Sequence, residues 1–123
     1  MFLSEILIVD PDRTILGRLV TPVQAAGFGV ALADDFACAV EMVRAHKFYA
    51  IVTAQRLGAH NGLHVVMRAR RENPAVIAVV TSPVPDPVLE REAALFDAVT
   101  LVAPWLDPGP LLLAISPSGL LAS

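Results

Sequence analysis

The chain has 123 residues, a mass of 13.1 kDa and a formal net charge of −3 at pH 7, and 55% of its residues are hydrophobic. This length suits one domain with one core, and this hydrophobic content excludes an intrinsically disordered chain. A sequence pI near 5.5 provides no basic stripe for phosphates, so we expect no nucleic-acid binding by this domain.

Cysteine content and the lengths of the apolar runs indicate the compartment. Cys38 is the only cysteine, so no internal disulfide can form, and no Cys/His spacing typical of zinc is present. The opening MFLSEILIVD lacks the basic region and the long apolar region of a signal peptide. Because no apolar run is long enough to cross a bilayer, we expect a cytoplasmic protein without membrane contact.

The first half of the chain predicts three strands, each followed by a helix. The strands are the short apolar runs 6–9, 29–33 and 50–54. Asp12 is a candidate N-cap for the first helix, in which Pro22 predicts a bend before a stop at Gly27. Asp34 and Asp35 precede the second helix as a capping pair, and the third helix runs from Leu63 to a stop near Asn73-Pro74.

The second half continues the alternation. It predicts strands at 76–81 and 98–102, a helix at 88–96 and a short final helix at 111–115. We therefore expect one domain over residues 1–115, with a linker or tail at 116–123. Strands that alternate with helices at short intervals predict an α/β fold, a doubly wound five-stranded parallel sheet with helices on both faces and the flavodoxin-like order 2-1-3-4-5.

The carboxyl end of the third strand is where such a sheet usually binds ligands. The residue at that end is Ala54. A methyl group can neither attack phosphorus, hold a metal nor move a proton. The sequence therefore predicts the setting of an active site without its nucleophile.

Five short motifs follow one another along the chain. They are ILIVD ending at Asp10, FYAIVT ending at Thr53, the Gly62-Leu63 step eight residues after Ala54, VVTS ending at Ser82, and Ala103-Pro104. In this order and at this spacing they resemble the receiver domain of bacterial two-component response regulators, the CheY-like superfamily. The resemblance implies the fold predicted above and a role in phosphorelay signal transduction.

The resemblance also implies a phosphorylation site, and most of its residues are replaced. In the family, a pair of acidic residues and the phospho-accepting aspartate hold Mg²⁺, and a lysine contacts the phosphoryl oxygens. The matching positions here are Asp10 and Pro11 for the acidic pair, with Asp12 behind them, Ala54 for the acceptor, Ala103 for the lysine and Thr100 for the aromatic switch. Only Asp10 and the hydroxyl residue Thr81 remain.

These replacements predict a pseudo-receiver. Asp10 alone should bind Mg²⁺ weakly at most, because Mg²⁺ needs near-octahedral oxygen ligation, and Ala54 offers no carboxylate for an acyl phosphate. With Ala54 in place of the acceptor aspartate, a lysine at position 103 would be an unpaired cation in a partly buried pocket, which is costly. The replacements at positions 54 and 103 are therefore physically consistent with each other. We expect a non-enzymatic, phosphorylation-independent module that acts through protein–protein interaction and needs no cofactor.

Three alternatives remain open at this point. The segment Asp10-Pro11-Asp12-Arg13-Thr14 also matches the DxDxT element of haloacid dehalogenase-like phosphatases, with Asp10 as nucleophile, Asp12 as acid/base and Thr81 as second motif. The short chain and the absence of a later acidic pair disfavour it, and Asp12 is better explained as an N-cap. Flavin binding is disfavoured because no Gly-rich loop follows the first strand. The third alternative is a structural dimerisation domain of a longer regulator.

The end of the chain supplies the candidate interface. Successive helical residues are turned about 100° apart, so Leu111, Leu112 and Leu113 cannot all face the core. Trp105 and Leu106 follow Pro104 in a loop, from which an aromatic side chain can anchor a partner. The family resemblance places dimer and output contacts on the fourth helix, fifth strand and fifth helix. We therefore expect a homodimer, or contact with a protein partner or output domain, on that face.

Other polar or reactive residues are interpreted structurally. His46, His60 and His64 make no metal spacing, and we expect His60 to be a solvated loop residue. Arg68, Arg70 and Arg71 complement the dipole at a helix C-terminus. Cys38 lies among apolar helix residues and is predicted to be a small core residue.

Overall fold

A computed structural model of the chain describes residues 4–116, so the predicted tail lies, except for Ser116, outside the described residues. Helices and strands alternate as predicted. The strands are β1 (Glu5–Val9), β2 (Gly29–Ala33), β3 (Ala50–Ala54), β4 (Arg56–Leu57), β5 (His60–Asn61), β6 (Ile77–Ser82) and β7 (Val99–Val102). The helices are α1 (Arg13–Ala25), α2 (Phe36–Ala45), α3 (Gly62–Glu72), α4 (Pro87–Leu95) and α5 (Gly109–Ile115).

The five longer strands form one parallel sheet in the order β2-β1-β3-β6-β7. Counting only these five strands, this is the predicted order 2-1-3-4-5, so the doubly wound prediction is confirmed. The carboxyl ends of β1, β3 and β6 consequently meet at one edge of the sheet.

Helices cover both faces of the sheet. Neighbouring residues of a strand point to opposite sides, so each central strand contributes to the packing on both faces. Leu7 and Val9 of β1 pack with residues of α2 and α3. Ile6 and Ile8, from the same strand, pack with residues of α1 and α5. A third cluster joins Val80 of β6 to α3 and α4. This two-sided burial explains the continuous apolar runs of the central strands.

Side-chain caps define where several helices begin. The Asp12 carboxylate accepts from the amides of Thr14 and Ile15, so the predicted N-cap of α1 is confirmed. Asp35 caps α2, whereas Asp34 instead pairs with Arg13 at 3.1 Å. Helix α1 continues through Pro22, and the predicted stop at Gly27 is confirmed by its φ of +98°.

A two-stranded antiparallel hairpin between β3 and α3 was not predicted. Arg56 pairs with Asn61 and Leu57 with His60, and Gly58 takes a φ of +63° in the turn. Leu57 is buried and fixes the hairpin to the core beside α2 and α3. The segment that follows β3 is therefore an ordered hairpin with one side chain in the core.

One prediction about side-chain burial is wrong. Cys38 is exposed, with its sulfur 3.9 Å from the Met42 sulfur, because α2 turns Ala39, Val40 and Val43 toward the sheet instead. His60 is exposed, as predicted, and its ring also stacks on Phe36 with centroids 3.9 Å apart. Within residues 4–116, no helix combines the length and the apolar character needed to cross a bilayer.

Candidate functional site

A cavity of about 230 Å³ opens at the carboxyl ends of β1, β3 and β6. It is the place where an open α/β sheet normally binds its ligand. Its walls are largely apolar, and the residues that line it are Asp10, Pro11, Ile15, Ala54, Gln55, Arg56, Thr81, Pro83 and Trp105. The structure thus brings together Asp10, Pro11, Ala54 and Thr81, as the sequence predicted.

Asp10 is the buried acid of this cavity. It follows β1 directly and is only 5% exposed. The Asp12 amide donates to Asp10 Oδ1 at 2.8 Å. Burial raises the pKa of the Asp10 carboxyl, the Asp12 hydrogen bond opposes that shift, and the negative charge of Asp12 adds to it. The carboxylate is therefore held in an environment that disfavours its charge.

Ala54 stands at the end of β3, opposite Thr81 of β6 in the sheet. Thr81 is buried, and its carbonyl accepts from the Gln55 amide at 3.0 Å. This hydrogen bond therefore joins the segment that follows β3 to the neighbouring strand β6. No nucleophile other than the Thr81 hydroxyl and the Asp10 carboxylate lines the cavity within the described residues.

Gly62 lets α3 begin directly beneath this strand end. Its amide donates to the Gln55 carbonyl at 2.7 Å. A Cβ at this position would clash with the Ala54 carbonyl and lie 2.9 Å from Thr53 Oγ1. The glycine spacing that carried the resemblance therefore has a steric cause, a close approach of two backbone segments.

Ala103 and Thr100 lie outside the cavity wall. Thr100 is half-buried and pairs with Val80 in the sheet. The Ala103 amide donates to the Ser82 carbonyl at 2.8 Å, and its φ is +44°. Trp105, two residues further on, lines the cavity instead and packs against the cluster formed with α1 and α5. An indole thus forms part of the cavity wall.

The donor set does not fit Mg²⁺. Asp10 supplies the one acidic side chain in the cavity wall, and the Asp12 carboxylate is occupied as the cap of α1. Within residues 4–116, no three His, Cys, Asp or Glu side chains gather in a metal-binding group. Since Mg²⁺ is held by carboxylates in near-octahedral oxygen ligation, these residues offer too few oxygens.

The same contacts weaken the phosphatase alternative. That chemistry needs Asp12 to move a proton beside Asp10, but Asp12 Oδ1 accepts from the Thr14 amide at 2.8 Å and Asp12 is exposed. A general acid must reach the reacting group within hydrogen-bond distance. The geometry therefore agrees with the structural role of Asp12.

The five candidate interface residues separate into three groups. Leu106 and Leu113 are 72% and 65% exposed, so the expectation that at least one of the three adjacent leucines faces solvent is confirmed. Leu112 and Trp105 are half-buried against the core. Leu111 is fully buried, and its choice as an interface residue was wrong because α5 turns this position toward the sheet.

Five residues of the cavity wall were not predicted to lie there, and one of them, Trp105, was predicted only as an interface residue. Gln55 and Arg56 follow the end of β3, and Pro83 follows the end of β6. Their position just after predicted strands was the available signal, because strand ends at one sheet edge converge. Ile15 lies in the first turn of α1, and its apolar periodicity gave no indication that it would face a cavity.

No protein-family profile and no curated protein matches this sequence. Solved structures do match. A response regulator from Burkholderia pseudomallei, with a phosphorylated aspartic acid, calcium ion and citrate, has a TM-score of 0.82 at 21% identity. The match covers 92% of this chain and 66% of that one, so the present chain spans just under two thirds of its length.

Two further structures match over most of both chains. A CheY-like response regulator receiver domain protein from Methanospirillum hungatei JF-1 has a TM-score of 0.82 at 20% identity, covering 92% of this chain and 90% of that one. The signal receiver domain of an HD domain-containing protein from Pseudomonas fluorescens Pf-5 has a TM-score of 0.79 at 25% identity, covering 91% and 90%. The fold of this chain is that of the CheY-like receiver domains of response regulators.

Proposed function

We propose that this chain is a phosphorylation-independent receiver-like module, a pseudo-receiver that signals through protein contacts and has no enzymatic activity. The observation that carries the proposal is Ala54 at the carboxyl end of β3, in the wall of the cavity. The receiver resemblance places the phospho-accepting aspartate there. An acyl phosphate requires a carboxylate nucleophile, which a methyl group cannot replace.

Asp10 is a poor substitute for the missing acceptor. Its carboxylate is buried, and one oxygen already accepts from the Asp12 amide. Attack on phosphorus brings two negatively charged groups together and so needs nearby positive charge. Within residues 4–116 the only ion pair is Arg13–Asp34, and no cationic side chain lies within 4.0 Å of Asp10. These facts support a pocket that does not accept a phosphoryl group.

The exposed apolar side chains indicate where a protein would bind. Nine large apolar residues are exposed in the described part of the chain, and seven of them lie between positions 84 and 113. The seven are Val84, Val88, Leu95, Val99, Val102, Leu106 and Leu113. Large exposed apolar patches on soluble domains commonly mark interaction sites.

Five of these residues define what we call the α4–β7–α5 face: Leu95, Val99, Val102, Leu106 and Leu113. Helices α4 and α5 both contact β7, which pairs only with β6 in the described sheet and forms its edge. Leu95 on α4 is 82% exposed, and Leu113 lies on α5. We assign homodimerisation or docking of an output partner to this face, consistent with the receiver resemblance.

Sedimentation velocity tests the proposal. Because burying one leucine contributes about 1.5–3 kcal/mol, we expect Leu106→Glu and Leu113→Glu each to weaken self-association by at least about tenfold. Met67→Glu, at an exposed position of α3, is the matched control and should associate like wild type. Acetyl phosphate with Mg²⁺ should leave every association constant unchanged.

Two results would contradict the proposal. If wild type and Leu113→Glu sedimented identically at high protein concentration, the face would not be a contact between copies of this chain. If acetyl phosphate strengthened or abolished the association, the module would depend on phosphorylation.

A further inference from the structure

We propose that the cavity beside Trp105 binds a small organic cation, a protonated amine with an apolar body, through the Asp10 carboxylate. This binding site goes beyond the proposed function and does not depend on it. Three features of the cavity carry the inference: its size and apolar wall, the buried acid without a counter-ion, and the indole that closes one side.

The size and wall of the cavity suit a small organic molecule. Its volume of about 230 Å³ corresponds to roughly eight water molecules at their share of liquid volume. Pro11, Ile15, Ala54, Pro83 and Trp105 supply the apolar part of its wall. Ligand sites typically combine such a wall with a few polar groups that orient the ligand. Here those groups are led by Asp10.

Asp10 has no cationic side chain within 4.0 Å in the described residues, although Arg56 lines another part of the same cavity. The residue is only 5% exposed, and the one hydrogen bond that its carboxylate makes in the described structure comes from the Asp12 amide to Oδ1. Asp12 brings further negative charge close by. A buried carboxylate without a counter-ion is unfavourable, so a ligand ammonium that enters the cavity relieves a cost already present.

Trp105 reinforces the choice of a cation. Its indole lines the same cavity as Asp10, and tryptophan is the aromatic side chain that attracts cations best. The apolar body of an amine can pack against the indole and the prolines while its ammonium reaches the carboxylate.

Other ligand classes match the cavity less well. An anion attracted by Arg56 would have to lie beside the unpaired Asp10, and like charges repel at that distance. A metal ion would find one carboxylate in a wall that is otherwise mainly apolar. A neutral molecule would leave the Asp10 carboxylate without a counter-ion. An organic cation satisfies both the acid and the apolar wall.

Fluorescence of Trp105 tests the proposal directly, because it is the only tryptophan of the chain. The probes are hexylamine, hexanol and hexanoate at neutral pH and constant ionic strength, which share one apolar tail and differ in charge. We expect a saturable change with hexylamine in the millimolar range. Hexanol and hexanoate should bind at least about tenfold more weakly, because a charge-assisted hydrogen bond is lost.

Variants assign the effect to residues. Asp10→Asn keeps the shape and removes the charge, so hexylamine should bind about tenfold more weakly while hexanol is unaffected. Ala54→Leu should fill the cavity and weaken both ligands. Asp34→Asn is the control, because Asp34 is acidic but outside the cavity wall, and it should bind hexylamine like wild type.

The comparison among ligands uses the wild-type chain and so stands even if a variant fails to fold. Hexanoate binding as tightly as hexylamine would overturn the proposal, as would the lack of a saturable change with hexylamine. Equal hexylamine affinity of folded Asp10→Asn and wild type would also overturn it. None of these outcomes bears on the sedimentation test of the α4–β7–α5 face.

Discussion

Asp10 is the residue on which the interpretation of the site depends most. It follows the fully buried end of β1 and is itself buried, whereas positions 54 and 103, which the receiver resemblance assigns to the acceptor and the lysine, are alanine. Its hydrogen bond from the Asp12 amide compensates only part of the cost of burial, since burial remains the largest influence on its pKa. The acid is therefore expected to destabilise the fold when it is ionised.

Replacing Asp10 by asparagine should stabilise the protein at neutral pH. Because its folded pKa is raised, the folded chain holds the proton to higher pH than the unfolded chain, so stability falls as pH rises from the ordinary carboxyl pKa through the raised value. Asp10→Asn keeps an oxygen for the Asp12 amide but cannot ionise. A tenfold difference in proton affinity between the folded and unfolded chains corresponds to about 1.4 kcal/mol of stability.

Urea unfolding of wild type and Asp10→Asn at neutral and at acidic pH measures this effect. The variant should be more stable at neutral pH, and its advantage should shrink at acidic pH, where Asp10 is neutral in both states. A wild type that is the more stable of the two at neutral pH would show that an unrecognised partner compensates the carboxylate.

At the scale of elements, the junction of β3 and α3 is the tightest part of the site. Gly62→Ala would push a methyl group into the Ala54 carbonyl and close to Thr53 Oγ1, neither of which is the end of a flexible side chain. We expect a loss of about 1–3 kcal/mol in the free energy of unfolding, together with a shift of the hairpin.

Gly17→Ala is the matched control, since Gly17 lies exposed within α1 and a Cβ there meets nothing within 4 Å. This change should stabilise by about 0.5–1 kcal/mol through helix propensity. Denaturant unfolding monitored by circular dichroism compares the two variants. If Gly62→Ala and wild type were equally stable, the close backbone approach at position 62 would accommodate a Cβ, contrary to this prediction.

The elements that the sequence predicted correctly are those marked by an apolar run or by a capping residue. Apolar runs such as Ile51 and Val52 mark strands buried on both faces, and capping residues such as Asp12 mark helix starts. The hairpin of β4 and β5 has two residues per strand, too few to show a period. Cys38 was wrongly predicted to be buried because it neighbours the buried Ala39 in sequence. Successive helical residues are turned about 100° apart, so a change of one position moves a side chain from the core to the surface.

The candidate site was predictable in part for a related reason. Asp10, Ala54 and Thr81 each lie at a strand end, and strand order alone brings them together. Trp105 belongs to a loop whose path depends on tertiary packing against α1 and α5, so its position in the cavity wall had no signature in the sequence.

For the whole molecule, the receiver fold separates two surfaces that can be tested independently. The cavity lies at the carboxyl ends of the central strands, whereas the α4–β7–α5 face lies along the sheet edge. Trp105 and Leu106 are neighbours in the chain, yet the first lines the cavity and the second is largely exposed. We therefore expect protein contact at the face and no phosphoryl transfer in the cavity.

An amide NMR titration with beryllium fluoride and Mg²⁺, which together imitate a phosphoryl group on an aspartate, tests that central claim most directly. We predict that the amides of Thr81, Thr100 and Ala103 keep their chemical shifts at stoichiometric ligand. Ala54→Asp, run as a second sample, should also stay unresponsive, because Pro11 and Ala103 leave the metal ligand and the lysine missing. Saturable shifts around Thr81 in the wild-type chain would contradict the account.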